Sequence, residues 1–404
     1  MKPLSLRVSL LLLAALAPLP LRAASSFQVT VAAADVDRVA LLGAFPLPAG
    51  APPSAGLRDA AGRTYPLQND GRGNVRFILP LQRAGETLTF TLAAGSPAGE
   101  NVTVSQARAD LGISVLDRRT VVFQTDKESL PRPDIEPVYR RAGYLHPVLT
   151  PSGVIVTGDY PANHPHHHGI WTSWSKVRFQ GRATNFWQSA EQKGTTEFLG
   201  LDRAWNGPVY GGFVVRQQMF DFTTAPAVAA VNETWVVTAY SVAGATAPAR
   251  VVDLVITQAC ATADPVVFPE HLYGGLGFRG RDEWNGPDNL TVLTSEGATT
   301  RAAANTSHVR WCYVGGAVEG GARAGIAILS HPDNVRAPEA IRVHPDMPFV
   351  SFVPVQTDDL TIEPGKPHLS RYRFVVTDGP PDRALIQAHW NGFAHPAVVR
   401  VLAW

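Results

Sequence analysis

The chain has 404 residues, a formal net charge of +1 and only 17% charged residues. A charge so low and so evenly balanced sets up no field that would attract a polyanion, so we expect no nucleic-acid partner. The 35 glycines and 33 prolines, together with short alternating apolar runs, predict many strands joined by tight turns and few helices.

The N-terminal segment has the pattern of a secretory signal peptide, for which we predict residues 1–24. Lys2 and Arg7 form a basic start, an apolar run follows to about residue 21, and small residues begin at Ala23. The run is short and broken by two prolines, which favours a cleaved signal over a membrane anchor, although an uncleaved anchor stays open. We therefore expect an exported protein, periplasmic or extracellular, without a membrane span after cleavage.

The rest of the chain predicts an all-β protein in two parts. Residues 25–117 are expected to form a small β-sandwich module, because FQVTVAA, VRFILPL and ETLTFTLAA alternate as strands do and NDGRGN supplies a turn. This part contains no histidine and no catalytic constellation. Residues 118–404 predict a large antiparallel β-supersandwich. Its two cysteines, Cys260 and Cys312, are either one disulfide or two buried thiols.

The stretch most suited to chemistry is DYPANHPHHHGIWTSW, residues 159–174. If its backbone is extended, His164, His166 and His168 share one face and His167 lies on the other, unless a bulge at Gly169 reverses the alternation. Imidazoles grouped in this way suit either transition-metal binding or proton transfer near pH 7. A polar cluster bonded to backbone and water is the structural alternative.

Other chemical residue types follow in the large domain. FPEHLYGGLGFRGRDEW, residues 268–284, brings Glu270 and several charged side chains close to glycines that permit tight backbone approach. His331 and His344 each begin a His-Pro-Asp at a predicted strand end, where functional groups are common. A turn in which the aspartate caps its own backbone is the alternative for both.

Several of these blocks resemble one bacterial family. HPVLTPSGVIVTGDYP, HPHHHGIW, TSEG, WCYVGG, GIAILSHPDN and IEPG occur in that order over residues 141–378. They are similar to secreted proteins of a family labelled methane oxygenase PmoA, which is largely uncharacterised. A membrane methane monooxygenase needs transmembrane helices, which this sequence does not predict after residue 24. The resemblance implies instead a sandwich similar to galactose mutarotase, acting on carbohydrate with a histidine acid.

Three functions are compatible with these patterns. The first is a carbohydrate-active hydrolase, lyase or epimerase that acts on a glycan or glycoside, with general acid and base groups among His166, His168, His344 and Glu270. Substrate contacts would come from Tyr144, His146, Trp171, Arg279, Arg281 and Asp282. Trp174, Trp187, Trp284 and Trp311 are further candidates for stacking on sugar rings.

The second function is a metal-dependent enzyme. His164, His166 and His168, or two of them with His344, would hold a divalent transition metal, and Glu270 would complete the ligand set. The third is a non-catalytic glycan-binding protein. For both enzyme hypotheses we expect that replacing His166 or His168 by alanine abolishes turnover without loss of thermal stability.

Overall fold

The structure is a computed structural model that describes residues 27–403 except residues 53, 96–100, 127, 243 and 245–247. The predicted signal peptide, residues 1–24, lies outside the described residues. Within them, no helix combines the length and the apolar character that crossing a membrane requires.

The described residues are dominated by strands. The first seven are β1 (Phe27–Val31), β2 (Arg38–Pro46), β3 (Gly56–Arg58), β4 (Thr64–Pro66), β5 (Gln68–Asn69), β6 (Asn74–Gln82) and β7 (Leu88–Ala93). The next seven are β8 (Val102–Gln106), β9 (Asp110–Val115), β10 (Arg118–Gln124), β11 (Tyr144–Val148), β12 (Ile170–Trp174), β13 (Val177–Phe179) and β14 (Arg182–Thr184). The long strands of one sheet follow as β15 (Gly194–Trp205), β16 (Tyr210–Asp221), β17 (Val228–Tyr240) and β18 (Arg250–Cys260).

The rest of the chain, after β18, contains mostly shorter strands and both α-helices. Its strands are β19 (Val266–Phe268), β20 (Gly274–Arg279), β21 (Thr291–Thr294), β22 (His308–Val309), β23 (Trp311–Ala317), β24 (Arg323–Ser330), β25 (Glu339–Val343), β26 (Phe349–Phe352), β27 (Leu360–Ile362), β28 (His368–Asp378) and β29 (Val399–Ala403). The α-helices are α1 (Arg301–Ala304) and α2 (Arg383–Ala394), and short 3-10 helices span Pro137–Tyr139, Ser189–Glu191, Asp282–Trp284 and Glu319–Gly321.

The small module is a sandwich of two antiparallel sheets. One sheet has the order β29-β1-β7-β3-β4 and the other β2-β6-β5. Alternation along β1 turns Val29 and Val31 inward, where they join Leu41, Phe77 and Phe90 in one buried cluster. The C-terminal strand β29 pairs with β1 from Phe27 opposite Ala403 to Val31 opposite Val399. Both ends of the described chain therefore meet in this module.

The large domain is a sandwich of a nine-stranded and an eight-stranded antiparallel sheet. Their orders are β22-β25-β26-β20-β12-β11-β10-β9-β8 and β15-β16-β17-β18-β28-β24-β23-β21. The space between them is filled by side chains such as Phe123, Leu145, Phe213, Trp235 and Phe374. A smaller sheet with the order β14-β13-β19-β27 closes one end. The predicted all-β class, a small sandwich followed by a large antiparallel one, is confirmed.

The chain passes from the small module to the large domain before β8, whereas the predicted boundary was after residue 117. Strands β8 and β9 already belong to the nine-stranded sheet, and Val102, Leu111 and Ile113 are buried in the large core. The residues between these two strands form only the turn of the β8–β9 hairpin. Strand β29 lies on the other side of the division, in the small module.

A buried polar network crosses the interior of the large sandwich. Glu233 is 1% exposed and accepts hydrogen bonds from Thr172 (2.8 Å), Gln258 (2.5 Å), Gln217 (3.1 Å) and Trp235 (2.8 Å). Burial raises the pKa of this carboxyl. Both carboxylate oxygens of Glu233 accept hydrogen bonds, so this buried group is not left unsatisfied. Because Thr172 lies on β12 and Glu233 on β17, the network also links the two sheets.

The two cysteines are free thiols. Cys312 is buried in the main core and burial raises its pKa to about 12, whereas Cys260 is partly exposed and its thiol lies 3.1 Å from the carbonyl oxygen of Ile362. Of the two alternatives that the sequence left open, the structure has the unpaired thiols.

Candidate functional site

A pocket of about 650 Å³ opens beside the histidine-rich loop, within the size range of small-molecule sites. Four segments line it: the loop before β12, the β13–β14 hairpin with the segment that follows, the segment before β20, and the loop after β25. The lining includes five histidines, namely His164, His166, His167, His271 and His344.

An aromatic layer lies beneath the histidine loop, on the outer face of the nine-stranded sheet. Along β12, Ile170 points into the main core and the next residue, Trp171, points outward. Phe349 on β26 joins it, with ring centroids 5.9 Å apart. Opposite Trp171 stands Gly277 of β20, where an added Cβ would lie 3.1 Å from the indole. The glycine leaves room for the indole to lie across the neighbouring strand.

The loop that carries the four adjacent histidines is not extended, which corrects the predicted faces. Backbone bonds from His164 N to Pro161 O and from His167 N to His164 O fold it into two successive turns. The strand begins only at Ile170. Prolines 161 and 165 cannot donate to a ladder, which favours turns here. As a result, His167 faces the pocket with His164 and His166, and His168 lies on the opposite side.

Three imidazoles of this loop form one wall of the pocket. The ring centroid of His164 lies 5.5 Å from that of His166 and 5.0 Å from that of His167. Burial lowers the pKa of His166 to about 3, with a further contribution from His164, and it holds the pKa of His167 well below 6.5. The Nδ1 atoms of His164 and His167 are buried without a partner in the described part of the chain. Near neutral pH these rings are neutral and have nitrogen atoms free for a ligand.

His344 reaches the same pocket from the loop after β25, and its ring is held in one tautomer. The backbone N–H groups of Asp346 and Met347 both donate to its Nδ1, each at 3.1 Å. Because Nδ1 must then supply the lone pair, the neutral ring carries its proton on Nε2. Burial, followed by the nearby Arg342, lowers its pKa to about 4. His344 is therefore a hydrogen-bond donor through Nε2.

The two His-Pro-Asp sequences thus form turns in which the histidine caps the backbone. Asp333 N donates to Nδ1 of His331 at 3.2 Å, as Asp346 N does to His344. The predicted alternative had the aspartate in that role. His331 does not line the pocket, so the motif alone does not mark a functional group.

The wall opposite the histidine loop contains an ion pair that sequence reasoning missed. Glu191 and Lys193 lie 3.0 Å apart and both line the pocket. Asn185 donates to Glu191 at 3.0 Å, while its Oδ1 accepts from the backbone N–H of Trp187 at 2.8 Å. These bonds hold the Glu191 carboxylate in place at the wall of the pocket. Neither residue belongs to a motif, because the segment is a single 3-10 turn followed by a loop.

His271 and Tyr273 complete the lining next to Trp187. Ser175 Oγ lies 2.9 Å from Nδ1 of His271 and also donates to the carbonyl oxygen of Tyr273 at 2.8 Å. This leaves Nε2 of His271 as the nitrogen that can meet a ligand. The rings of Trp187 and Tyr273 lie 6.0 Å apart, so they form an aromatic edge beside the imidazoles.

His168, predicted as catalytic and as a metal ligand, belongs to a separate buried cluster. It is 0% exposed, its Nδ1 lies 2.8 Å from Asp159, and its ring stacks on Tyr144 at 4.3 Å. Tyr144 donates to the same carboxyl at 3.0 Å. Burial raises the pKa of Asp159 to about 7 and holds the pKa of His168 well below 6.5. This cluster lies behind the loop and outside the pocket lining.

The other predicted substrate contacts are spread around the site. Arg279 is 0% exposed and donates to Asp282 at 3.2 Å, behind the histidine loop. Arg281 pairs with Glu283 at 2.6 Å, and His146 bonds Thr157 at 2.9 Å. None of these side chains, nor Glu270, Tyr144 or Trp171, lines the pocket. Of the predicted catalytic residues, the structure brings His166 and His344 together there.

Of the further tryptophans predicted to stack on sugar rings, one lies at the pocket and the others lie in the core. Trp187 lines the pocket. Trp174 packs on Phe268 with ring centroids 4.1 Å apart, and Trp284 and Trp311 are 0% exposed. In a sandwich of this size the large aromatic side chains mostly fill the core.

The predicted metal ligands do not form one set. His168 points away from His164 and His166, as described above. Over the described ranges of the chain, no group of three or more histidine, cysteine, aspartate or glutamate side chains is arranged to hold an ion.

Fold and site together define a two-module antiparallel β-sandwich protein with a histidine-lined pocket on the outer face of its larger sandwich. The chain belongs to DUF6807, a family of unknown function, whose model matches residues 112–391. No curated protein matches it.

Two similar solved structures come from Enterococcus faecalis. One is an alpha-mannosidase of strain V583, with a TM-score of 0.44 and 9% identity, where the match covers 95% of this chain and 46% of that one. The other is a protein in glycosyl hydrolase family 38, with a TM-score of 0.41 and 10% identity, covering 95% of this chain and 48% of that one. This chain therefore spans about half the length of the solved structures that it matches.

Proposed function

We propose that this protein is an exported carbohydrate-active enzyme in which pocket histidines transfer protons on a bound sugar. The observation that carries the proposal is the pocket itself. Its volume of about 650 Å³ suits a small sugar or glycoside. Its lining combines five imidazoles with an aromatic edge and fixed polar side chains, which are the groups that sugar binding and proton transfer require.

Binding of a sugar is supported by the wall around Trp187. Aromatic rings stack on the apolar face of a sugar, and planar polar groups bond its hydroxyls. Trp187 and Tyr273 supply the rings. Asn185 is fixed by its bonds to the backbone and to Glu191. Gln188 also lines the pocket, and its buried Oε1 atom has no hydrogen-bond partner among the described residues.

Proton transfer is supported by the different states of His166 and His344. His166 is neutral near pH 7 because burial lowers its pKa to about 3. It has no hydrogen bond to any described residue, so its unprotonated nitrogen is available to a hydroxyl of the substrate. His344 presents an N–H from Nε2, as its two backbone donors require. A base beside a fixed donor suits hydrolysis, elimination or epimerisation, since each removes one proton while stabilising charge on an oxygen.

The proposal is tested with His166→Asn and His344→Asn variants on a panel of chromogenic glycosides, with calorimetry on the same compounds. We expect turnover by the wild type and a loss of about 10²–10⁴-fold in kcat for His166→Asn, the usual value of a general base. The dissociation constant should change little. His389→Asn is the matched control, because His389 is also buried, with a pKa lowered to about 3, but does not line the pocket.

Two outcomes would count against an enzyme. Sugar binding without turnover on any glycoside would favour a glycan-binding protein, and an equal loss of activity in His389→Asn would mean that His166 acts only through stability. His168→Ala is no longer expected to leave stability unchanged, because its ring is fully buried between Tyr144 and Asp159. Export is tested separately, by N-terminal sequencing of the secreted protein, which should begin near residue 25.

A further inference from the structure

The charges around the pocket do not balance. Three cationic side chains line it, Lys176, Arg178 and Lys193, against one carboxylate, Glu191. Lys193 pairs with Glu191 at 3.0 Å and Arg178 pairs with Asp359 at 2.6 Å. Lys176 is exposed, and among the residues that the structure describes no carboxylate lies within ion-pair distance of it. One ammonium group at the pocket therefore lacks a counter-charge.

Two arginines behind the pocket add to this positive potential. Arg342 donates to Asn305 Oδ1 and to the carbonyl oxygen of Val343, both at 2.8 Å, and lies 5.3 Å from the ring of Tyr273, without a carboxylate partner in the described part of the chain. Arg279 has the exposed Asp282 as its partner, while its Nε and Nη1 atoms are buried without one. Arg279 is fully buried and Arg342 is half-buried, so their charges are screened less than an exposed charge would be.

The hydrogen-bonding groups at the pocket suit an anion as well. His344 offers an N–H from Nε2. Nε2 of His271 is left for a ligand, and burial, followed by the nearby charge of Lys176, lowers the pKa of this imidazole. A neutral sugar would leave the ammonium of Lys176 to water alone. A carboxylate would supply the missing charge and accept from the ammonium of Lys176 and from the Nε2–H of His344.

We propose that the substrate is a sugar acid or its glycoside, with the carboxylate bound at Lys176 and the neutral sugar face against Trp187. This inference rests on the proposed function, since it assigns the substrate class of the same pocket. It makes Lys176 a specificity-determining residue, and it leaves proton transfer with His166.

The test compares matched ligands that differ only at one carbon. Binding of 4-nitrophenyl β-D-glucuronide and 4-nitrophenyl β-D-glucoside is measured by calorimetry, with the galacturonide and galactoside as a second pair. We expect the uronide of at least one pair to bind about tenfold tighter than its neutral partner, the value of one charge-assisted contact. That preference should shrink as salt is raised, because the contact is partly exposed.

Two lysine variants locate the effect. Lys176→Gln should abolish the preference for the uronide, while Lys366→Gln, which removes the same charge from an exposed lysine outside the pocket lining, should retain it. Equal binding of the uronide and its neutral partner in both pairs would overturn the inference and leave the proposed function standing. Retention of the preference in Lys176→Gln would also overturn it. Failure of all four glycosides to bind would overturn both proposals.

Discussion

Protonation of His166 should destabilise the fold, and the structure gives the size of the effect. Its ring is 8% exposed, and burial together with His164 lowers its pKa from 6.5 to about 3. In the unfolded chain the imidazole takes up a proton as the pH falls below 6.5, whereas in the folded chain it stays neutral until about pH 3. The unfolded state therefore binds more protons in this window, and its population rises as the pH falls.

The expected magnitude at pH 5 is about 2 kcal/mol, since pH 5 lies about 1.5 units below the unfolded value and each unit is worth about 1.36 kcal/mol. Because the pKa of His166 is lower in the folded state than in the unfolded state, the stability that neutral His166 contributes is complete above pH 6.5. It is lost progressively as the pH falls toward 3. A His166→Asn variant has no such group. Its stability relative to wild type should therefore improve by about 2 kcal/mol between about pH 7.5 and pH 5.

Urea unfolding followed by tryptophan fluorescence at the two pH values measures this difference, with equal m-values as the check that both proteins unfold in the same way. His389→Asn should show the same pH-dependent gain, because the pKa of His389 is also lowered to about 3, without any change at the pocket. A difference between wild type and His166→Asn that is the same at both pH values would refute the reasoning, since it would mean that the folded protein does not hold His166 neutral.

Three further predictions concern the groups beneath the site. Burial raises the pKa of Asp159 from 3.8 to about 7. The stability that the protonated carboxyl contributes is therefore complete below pH 3.8 and is lost as the pH rises to 7. In urea unfolding, Asp159→Asn should gain stability relative to wild type between about pH 5 and pH 7.5. Glu233→Leu should cost about 3–5 kcal/mol in the same assay, because it leaves its donors and the nearby buried charge of Arg141 uncompensated; a variant as stable as wild type would contradict this. Gly143→Ala should lower the melting temperature, since its φ is +83° and an added Cβ would clash with the Gln217 side chain. An unchanged melting temperature would show that the turn can relax.

The pattern of alternating residues predicted strands and their inward faces well. In NETWVVTAY, alternation places Glu233, Trp235 and Val237 on one face of a strand, and all three are buried inside the large sandwich. Alternation succeeds there because β17 pairs without interruption on both sides from Val231 to Tyr240. In the histidine loop the same reasoning was wrong, since Pro165 lies within the second of two turns and the backbone bonds run within the loop.

The candidate site was predictable only in part. His166 and His344 could be named because a histidine cluster and a histidine at a strand end are visible in the sequence. Glu191 and Lys193 could not, because the sheet order that brings the β13–β14 hairpin to the histidine loop depends on contacts between residues far apart in the chain. Helix α2 was also missed, although Asp382 at its start accepts from Leu385 N at 3.0 Å, as an N-cap does.

The pairing of β29 with β1 has a consequence for how the protein is made. Strand β1 leaves the ribosome early, but its partner on one side, residues 399–403, is synthesised more than 360 residues later. Until then the edge of β1, whose Phe27, Val29 and Val31 are apolar, has unpaired backbone groups that another chain could use. Strand β29 thus protects the edge of β1 from pairing with another chain. A chain without residues 399–403 should aggregate while its pocket is still formed.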